Sequence, residues 1–482
     1  MRAATFALLA ALTAAAQDAK PATIDSILAE TWYEAKLLPQ ARASDAEFLR
    51  RVTLDLTGVV PTEQEVAAFL KKPDRTAKID ELLASPRHAE FLANAWTTSL
   101  YGYLNGNDTA RAPLEFWLRK AFADNTPYDK VVRDLLTGTG RPQQSAPATF
   151  VGRYYMENGK PEEIAVKVSR AFLGIRLNCA RCHDHPFDKW TQDDFYQFAA
   201  FFKGVERKYI AQNVIEIADS PERAAARYYV QDLKKAVKPK FLSGAEPQTA
   251  ALRDELALFV VTNRQFARAF ANRLWYHFFG RGLVHPIDNF SKKNPASVPR
   301  LLDFLTDEAV RLKFDVRAMI RTIVTSKVYQ LSSSVAKADP LREKLFAQSL
   351  VRPLAPEQVV DSIFRALDLE AAMGRTEMLK SRERFIQFLV RNQLQEDLTS
   401  VFEYRESIQD VMTKMTIDLS RARTGKGFLA SQPSVERIYL AALSRRPSAR
   451  ERKTCDDYLK RGGSVEELVV TLLNSHEFTF NH

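Results

Sequence analysis

The reactive side chains of this sequence gather in one stretch, Cys179-Ala180-Arg181-Cys182-His183-Asp184-His185-Pro186-Phe187-Asp188-Lys189-Trp190. It holds two of the three cysteines and two of the seven histidines in 482 residues. Cys-x-x-Cys-His is the spacing of a c-type haem attachment site. Thiols three residues apart can each bond one vinyl group of a porphyrin, and the imidazole that follows then ligates the iron. On this reading Cys179 and Cys182 are the thioether anchors of a covalent haem c, and His183 is the proximal iron ligand. His185 is a further candidate ligand. Asp188 is a carboxylate able to orient an imidazole or bind a metal, and Trp190 is a flat apolar wall.

Other chemistries also use a close cysteine pair. One is a Cys179–Cys182 disulfide, formed in an oxidising compartment. Another is a zinc or iron ion held by Cys179, Cys182, His183 and His185 or Asp188. A thioredoxin-type pair would need a surrounding βαβ pattern, which is not there. The cofactor is therefore haem c, a zinc or iron ion, or none. The matching functions are an electron-transfer or oxidative haem protein, a non-haem metal-dependent enzyme acting on glycans, and a non-catalytic cell-surface or glycan-binding protein. Residue types alone leave open whether the chain is an enzyme.

The N-terminus bears on that choice. After Met1-Arg2 the chain is apolar over 3–16 apart from Thr5 and Thr13, and it passes Ala14-Ala15-Ala16 before Gln17. Residues 1–16 read as a secretory signal peptide. Asp18 and Lys20 stop the run, which is too short to cross a bilayer. Export to the periplasm or beyond is expected, without a membrane span, and that is where bacterial c-type haem is attached. Lys and Arg total 69 against 59 Asp and Glu, a net charge of +10, spread along the chain. Such a surface suits an acidic redox partner or an anionic polysaccharide. Export and the lack of a recognition motif argue against nucleic acid. Nothing in the sequence sets an oligomeric state.

The elements that must position the cysteine stretch are mostly helices. Apolar periodicity and capping residues predict helices over 24–36, 45–56, 63–70, 76–83, 113–122 and 128–136, with another opening at Ser85-Pro86. A Gly-, Pro- and Ser-rich loop is expected over 137–149. A helix over 161–175 runs into the cysteine stretch, and Pro186 keeps it from continuing. Thr191 caps a helix over 192–202 carrying Phe195, Phe198, Phe201 and Phe202, which are core residues or the wall of a haem cleft. β-Branched and aromatic residues between 208 and 244 predict two to four short strands. Helices resume near Arg253, and the next, ending at Gly280, carries Phe266, Phe270, Arg273 and His277 on one face. Arg273 pairs an acid or binds an anion such as a haem propionate. His277 and His285 are candidate distal ligands. Further helices are expected over 298–312, 316–326, 340–350, 356–369, 385–398, 435–443, 449–459 and 465–473. The expected architecture is mainly α: a helical domain over 17–205, a β-rich linker over 206–249 and a second helical domain over 250–482.

Several stretches resemble a known family. Ala43-Ser-Asp-Ala-Glu-Phe-Leu-Arg-Arg-Val-Thr-Leu-Asp-Leu-Thr-Gly58 with Pro61-Thr62, together with Asn178-Cys-Ala-Arg-Cys-His-Asp-His-Pro-Phe-Asp-Lys-Trp190, resemble the planctomycete cytochrome-like family known as domain of unknown function 1549. Asn272-Arg-Leu-Trp-Tyr-His-Phe-Phe-Gly-Arg-Gly-Leu-Val284, Tyr329-Gln-Leu-Ser332 and the ending Leu473-Asn-Ser-His-Glu-Phe-Thr-Phe-Asn-His482 resemble its usual partner, domain 1553. The resemblance implies a secreted protein, often encoded beside sulfatase-like proteins and polysaccharide-degrading enzymes. Larger relatives carry an additional cytochrome c domain. This chain lacks that domain, which leaves Cys179, Cys182 and His183 as its candidate haem anchor.

Overall fold

Helix boundaries follow the capping residues. In the computed structural model, which describes residues 22–102, 111–158, 160–211, 214–334, 339–390 and 427–482, Ser44 accepts a hydrogen bond from Glu47 N at 3.1 Å and starts Asp45–Thr57. Gly58 closes that helix with φ 74°. Reciprocal capping boxes open Glu63–Lys71 (Thr62 with Glu65) and Gln192–Ala199 (Thr191 with Asp194). Ser434, Ser448 and Ser464 cap the three helices near the C-terminus. Each cap gives a partner to a backbone N–H that the helix cannot satisfy itself. The signal peptide read at 1–16 lies outside the described residues, as does the end of the helix expected over 385–398.

The fold is mainly α with a small β insert. Three antiparallel strand pairs occur among the described residues. Val205–Ala211 pairs with Val214–Asp219, and Tyr228–Val230 with Lys235–Val237. Those two hairpins form the expected insert. The third pair, Arg352–Pro353 with Phe480–Asn481, is too short for alternation to announce it. Other differences have local causes. Ala148–Asn158 is helical from just inside the expected loop. Pro340–Lys344 stops early, where Phe346 takes φ 56° and Leu345 and Phe346 turn inward. Arg375–Val390 begins well before 385, through a polar stretch in which Met378 packs on the C-terminal core while Leu379 is exposed.

The larger apolar core gathers side chains from Ile24 to Ala347 and takes in the β insert. Tyr128 stacks on Phe266 and Phe270 at 5.7 and 4.6 Å, joining the helices before the cysteine stretch to Arg264–Phe279. Buried Arg253 forks onto Asp219 and donates to Leu136 O and Gly138 O, fastening the first hairpin to two helices. A smaller core is built from residues between Leu354 and Phe478 with Leu54 and Val60.

Asp45–Thr57 lies between the two cores. Phe48, Leu49, Val52 and Leu56 face the larger one and Leu54 the smaller. Buried on all sides, its charged residues need internal partners. Arg50 donates to Ala442 O and Phe478 O. Arg51 reaches Tyr329 O, Leu331 O, His482 O and Glu47. Asp55 accepts from Arg352 at 2.8 and 2.9 Å, from Tyr329 Oη at 2.8 Å and from Asn481 Nδ2 at 2.7 Å.

Candidate cofactor-attachment site

The cysteine loop is held from behind by three elements. Pro161–Val168 continues into a wider π turn, Ser169–Leu173, which leaves carbonyls without their usual helical donors. Two of these are taken by the neighbouring helix: Arg273 Nη2 donates to Ala171 O at 2.9 Å and Gln265 Nε2 to Leu173 O at 2.8 Å. Gly174 then reverses the chain at φ 66°, and its carbonyl accepts Phe290 N at 2.8 Å. Asp288, fully buried, bridges Arg170 and Arg176 on either side of that turn. Burial alone would raise its pKa, but the guanidiniums of Arg176 and Arg170 hold it below the ordinary carboxylate value.

A 3₁₀ turn, Leu177–Ala180, follows. Leu177 and Ala180 are buried and anchor it, while Cys179, Cys182 and His183 are exposed. His183 Nδ1 lies 2.8 Å from Asp184 O. A carbonyl only accepts, so Nδ1 carries the proton and the Nε2 lone pair of the neutral ring is free to bind a metal. His185 is turned into its own loop, where its Nδ1 accepts Phe187 N at 3.1 Å. The far end is closed by His185 N donating to Trp190 O, Gln192 N to Asp184 Oδ1 and Gln192 Nε2 to Arg181 O. Arg181 pairs with Glu163 at 3.0 Å, tying the loop back to the preceding helix.

The other sequence-predicted residues go elsewhere. Asp188 Oδ1 accepts Lys189 N within the loop. His277 is buried against Phe91 and Trp96, with Nε2 3.3 Å from Asp55 O, and burial lowers its pKa. His285 packs on the ring of Tyr276. Arg273 is engaged by Ser99 Oγ and Ala171 O. Phe195, Phe198, Phe201 and Phe202 are fully buried, and Phe198 and Phe201 pack on Phe241 and Phe259. Cys179 and Cys182 both stand as free, exposed cysteines. Among the described residues, no three His, Cys, Asp or Glu side chains converge as a metal-ligand group. The loop presents two exposed thiols and one imidazole nitrogen, the groups that a thioether-linked haem would need.

A cleft of about 480 Å³ adjoins the loop, lined by Ile175 before the motif and by Asp188, Lys189 and Trp190 after it. Another, of about 370 Å³, lies away from the loop around Arg87, Arg365, Arg382 and Arg437. There Glu65, Asp361 and Glu63 neutralise Arg365, Arg382 and Arg437.

Family comparison agrees with the motifs. Residues 23–207 match PSCyt2, a protein of unknown function (DUF1549), and residues 252–416 match PSD1, a protein of unknown function (DUF1553). The chain belongs to this paired-domain family. No curated protein and no solved structure gave a match.

What the sequence pattern missed is the buried polar junction around Asp55. Its stretches, 43–58, 329–332 and 473–482, stood out only by family resemblance. The helix Asp45–Thr57 interleaves Arg50, Arg51 and Asp55 with apolar residues, and nothing in that local pattern shows that all three are buried.

Proposed function

We propose that the protein is an exported c-type haem protein that carries electrons or supports oxidative chemistry. The observation that carries this reading is the exposed pair Cys179 and Cys182, followed by His183 with Nδ1 engaged and Nε2 free. Cys179 and Cys182 would hold the porphyrin through thioethers and His183 would ligate the iron. Bound haem supplies one-electron chemistry at a potential set by its ligands and burial. The chain's own contribution is to position those three side chains. Leu177 and Ala180 fix the turn, and Asp184 O sets the His183 tautomer, as outer partners of metal-bound imidazoles commonly do. Export rests on the apolar run over 3–16, and a link to polysaccharide use rests on the family resemblance.

The test is expression of the full chain with haem-attachment machinery and a control cytochrome. Two thioethers survive denaturation, so a denaturing gel should stain for haem. Cys179→Ala with Cys182→Ala should abolish the stain, and His183→Ala should change the absorption spectrum of any haem retained. A chain with no haem mass and two readily alkylated thiols, beside a correctly matured control, overturns the proposal.

A further inference from the structure

The cleft beside the cysteine loop has a composition of its own. Its floor includes Ile175, Trp190, Phe241 and Phe290, and its rim carries Lys189, Lys292 and Arg268 against a single lining acid, Asp188. Arg268 is engaged by Asp303 at 3.0 Å, and Asp188 accepts Lys189 N. Lys189 Nζ lies 4.5 Å from the centre of the Trp190 ring. Lys292 is exposed and has no acid partner among the described residues. Trp190 Nε1 is buried without an acceptor among the described residues. Flat rings below and ammonium groups at the edge suit a ligand that is planar and apolar across its face and anionic along one side. The volume, about 480 Å³, is in the range of ordinary cofactor clefts.

We propose that this cleft seats the porphyrin face of the cofactor, with Lys189 and Lys292 receiving its carboxylates. The choice of ligand rests on the haem reading, whereas the site itself rests on the cleft. Ile175 and Asp188, which flank the anchoring cysteines in sequence, both line the cleft, so the tether and the cleft share one loop, with Cys179, Cys182 and His183 outside the lining itself. This assigns the anionic edge to the two lysines and leaves Arg273 to its structural bonds with Ser99 and Ala171.

The experiment separates seat from tether. Full-length protein with Cys179→Ala and Cys182→Ala is titrated with metal-free protoporphyrin IX, which has no iron to ligate. The readout is quenching of Trp190 fluorescence, taken as the difference from the same protein with Trp190→Phe. Saturable quenching is expected. Lys189→Glu with Lys292→Glu should weaken it about tenfold, since exposed charge pairs are individually modest. Added salt should weaken binding to the unmutated lysines in the same direction. Absence of Trp190 quenching overturns the proposal, as does equal affinity in the charge-reversed protein with an unchanged melting curve. Covalent haem on the native chain together with either negative result removes the seat alone. Porphyrin binding in the cleft without any covalent haem removes the tether alone.

Discussion

At the scale of single residues, the structure separates groups arranged for access from groups arranged for rigidity. Cys179, Cys182 and His183 are exposed on a turn whose other residues are fixed. Asp55 is the opposite case: it is buried, and Arg352, Tyr329 and Asn481 all donate to it. Its burial gives it no route to a substrate, so its part is structural. Removing one member of such a set leaves the others buried and unpaired, which is costlier than losing one bond. Asp55→Ala should lower unfolding free energy by about 3–5 kcal/mol, measured by urea denaturation. A loss under about 1 kcal/mol, as for a surface pair, would show that water already screens the site. Tyr329→Phe removes one donor and keeps the carboxylate paired with Arg352, so it should cost only about 1 kcal/mol.

At the scale of elements, legibility depended on range. Helices with serine or threonine caps and one apolar face were readable because both signals lie within a few residues of the element. The π turn was not: the apolar spacing runs smoothly through Val168 and Ala171, and the widening is supported by Arg273 and Gln265 from a helix about a hundred positions later. The pair Arg352–Pro353 with Phe480–Asn481 was equally invisible, since two-residue strands carry no period. The cysteine motif was fully legible as a spacing, but the cleft beside it depends on residues around 175, 190, 241 and 290 meeting in space. Gly174 links these levels. A Cβ there would lie 2.6 Å from Cδ2 of Phe290, on a backbone already at φ 66°. Gly174→Ala should therefore destabilise the protein by about 1–3 kcal/mol, and it should shift the fluorescence of Trp190 as Phe290 moves. An unchanged urea midpoint would mean that the turn relaxes freely and does not fix the loop.

At the scale of the whole molecule, two cores share one buried helix, and the histidines beside it make stability depend on pH. His88 is buried, donates Nδ1–H to Leu56 O at 2.8 Å, and its Nε2 has no hydrogen-bond partner among the described residues, so a proton added there would be buried without an acceptor. Burial lowers its pKa from 6.5 to about 4, with Arg317 and His277 adding repulsion. His277 is lowered for the same main reason. Between pH 6.5 and about 4 the unfolded chain takes up a proton at residue 88 that the folded chain refuses. Stability from this group is thus complete above pH 6.5 and falls as pH falls. The loss is roughly 1 kcal/mol at pH 5.5 and about 3 kcal/mol below pH 4. Asp288, with a lowered carboxylate pKa, works in a separate range, since its stabilisation is lost only below the ordinary Asp value of 3.8. Urea unfolding at pH 7, 6 and 5.5 should therefore show a steady decline before the carboxylates titrate. His88→Asn keeps a donor for Leu56 O but cannot be protonated, so its slope over the same range should be shallower by up to one proton. The remaining slope belongs to His277 and the half-buried His482, whose pKa is also lowered by desolvation. Parallel curves for His88→Asn and the native chain would show that residue 88 opens to water before the molecule unfolds, and that the junction between the two cores is looser than its packing implies.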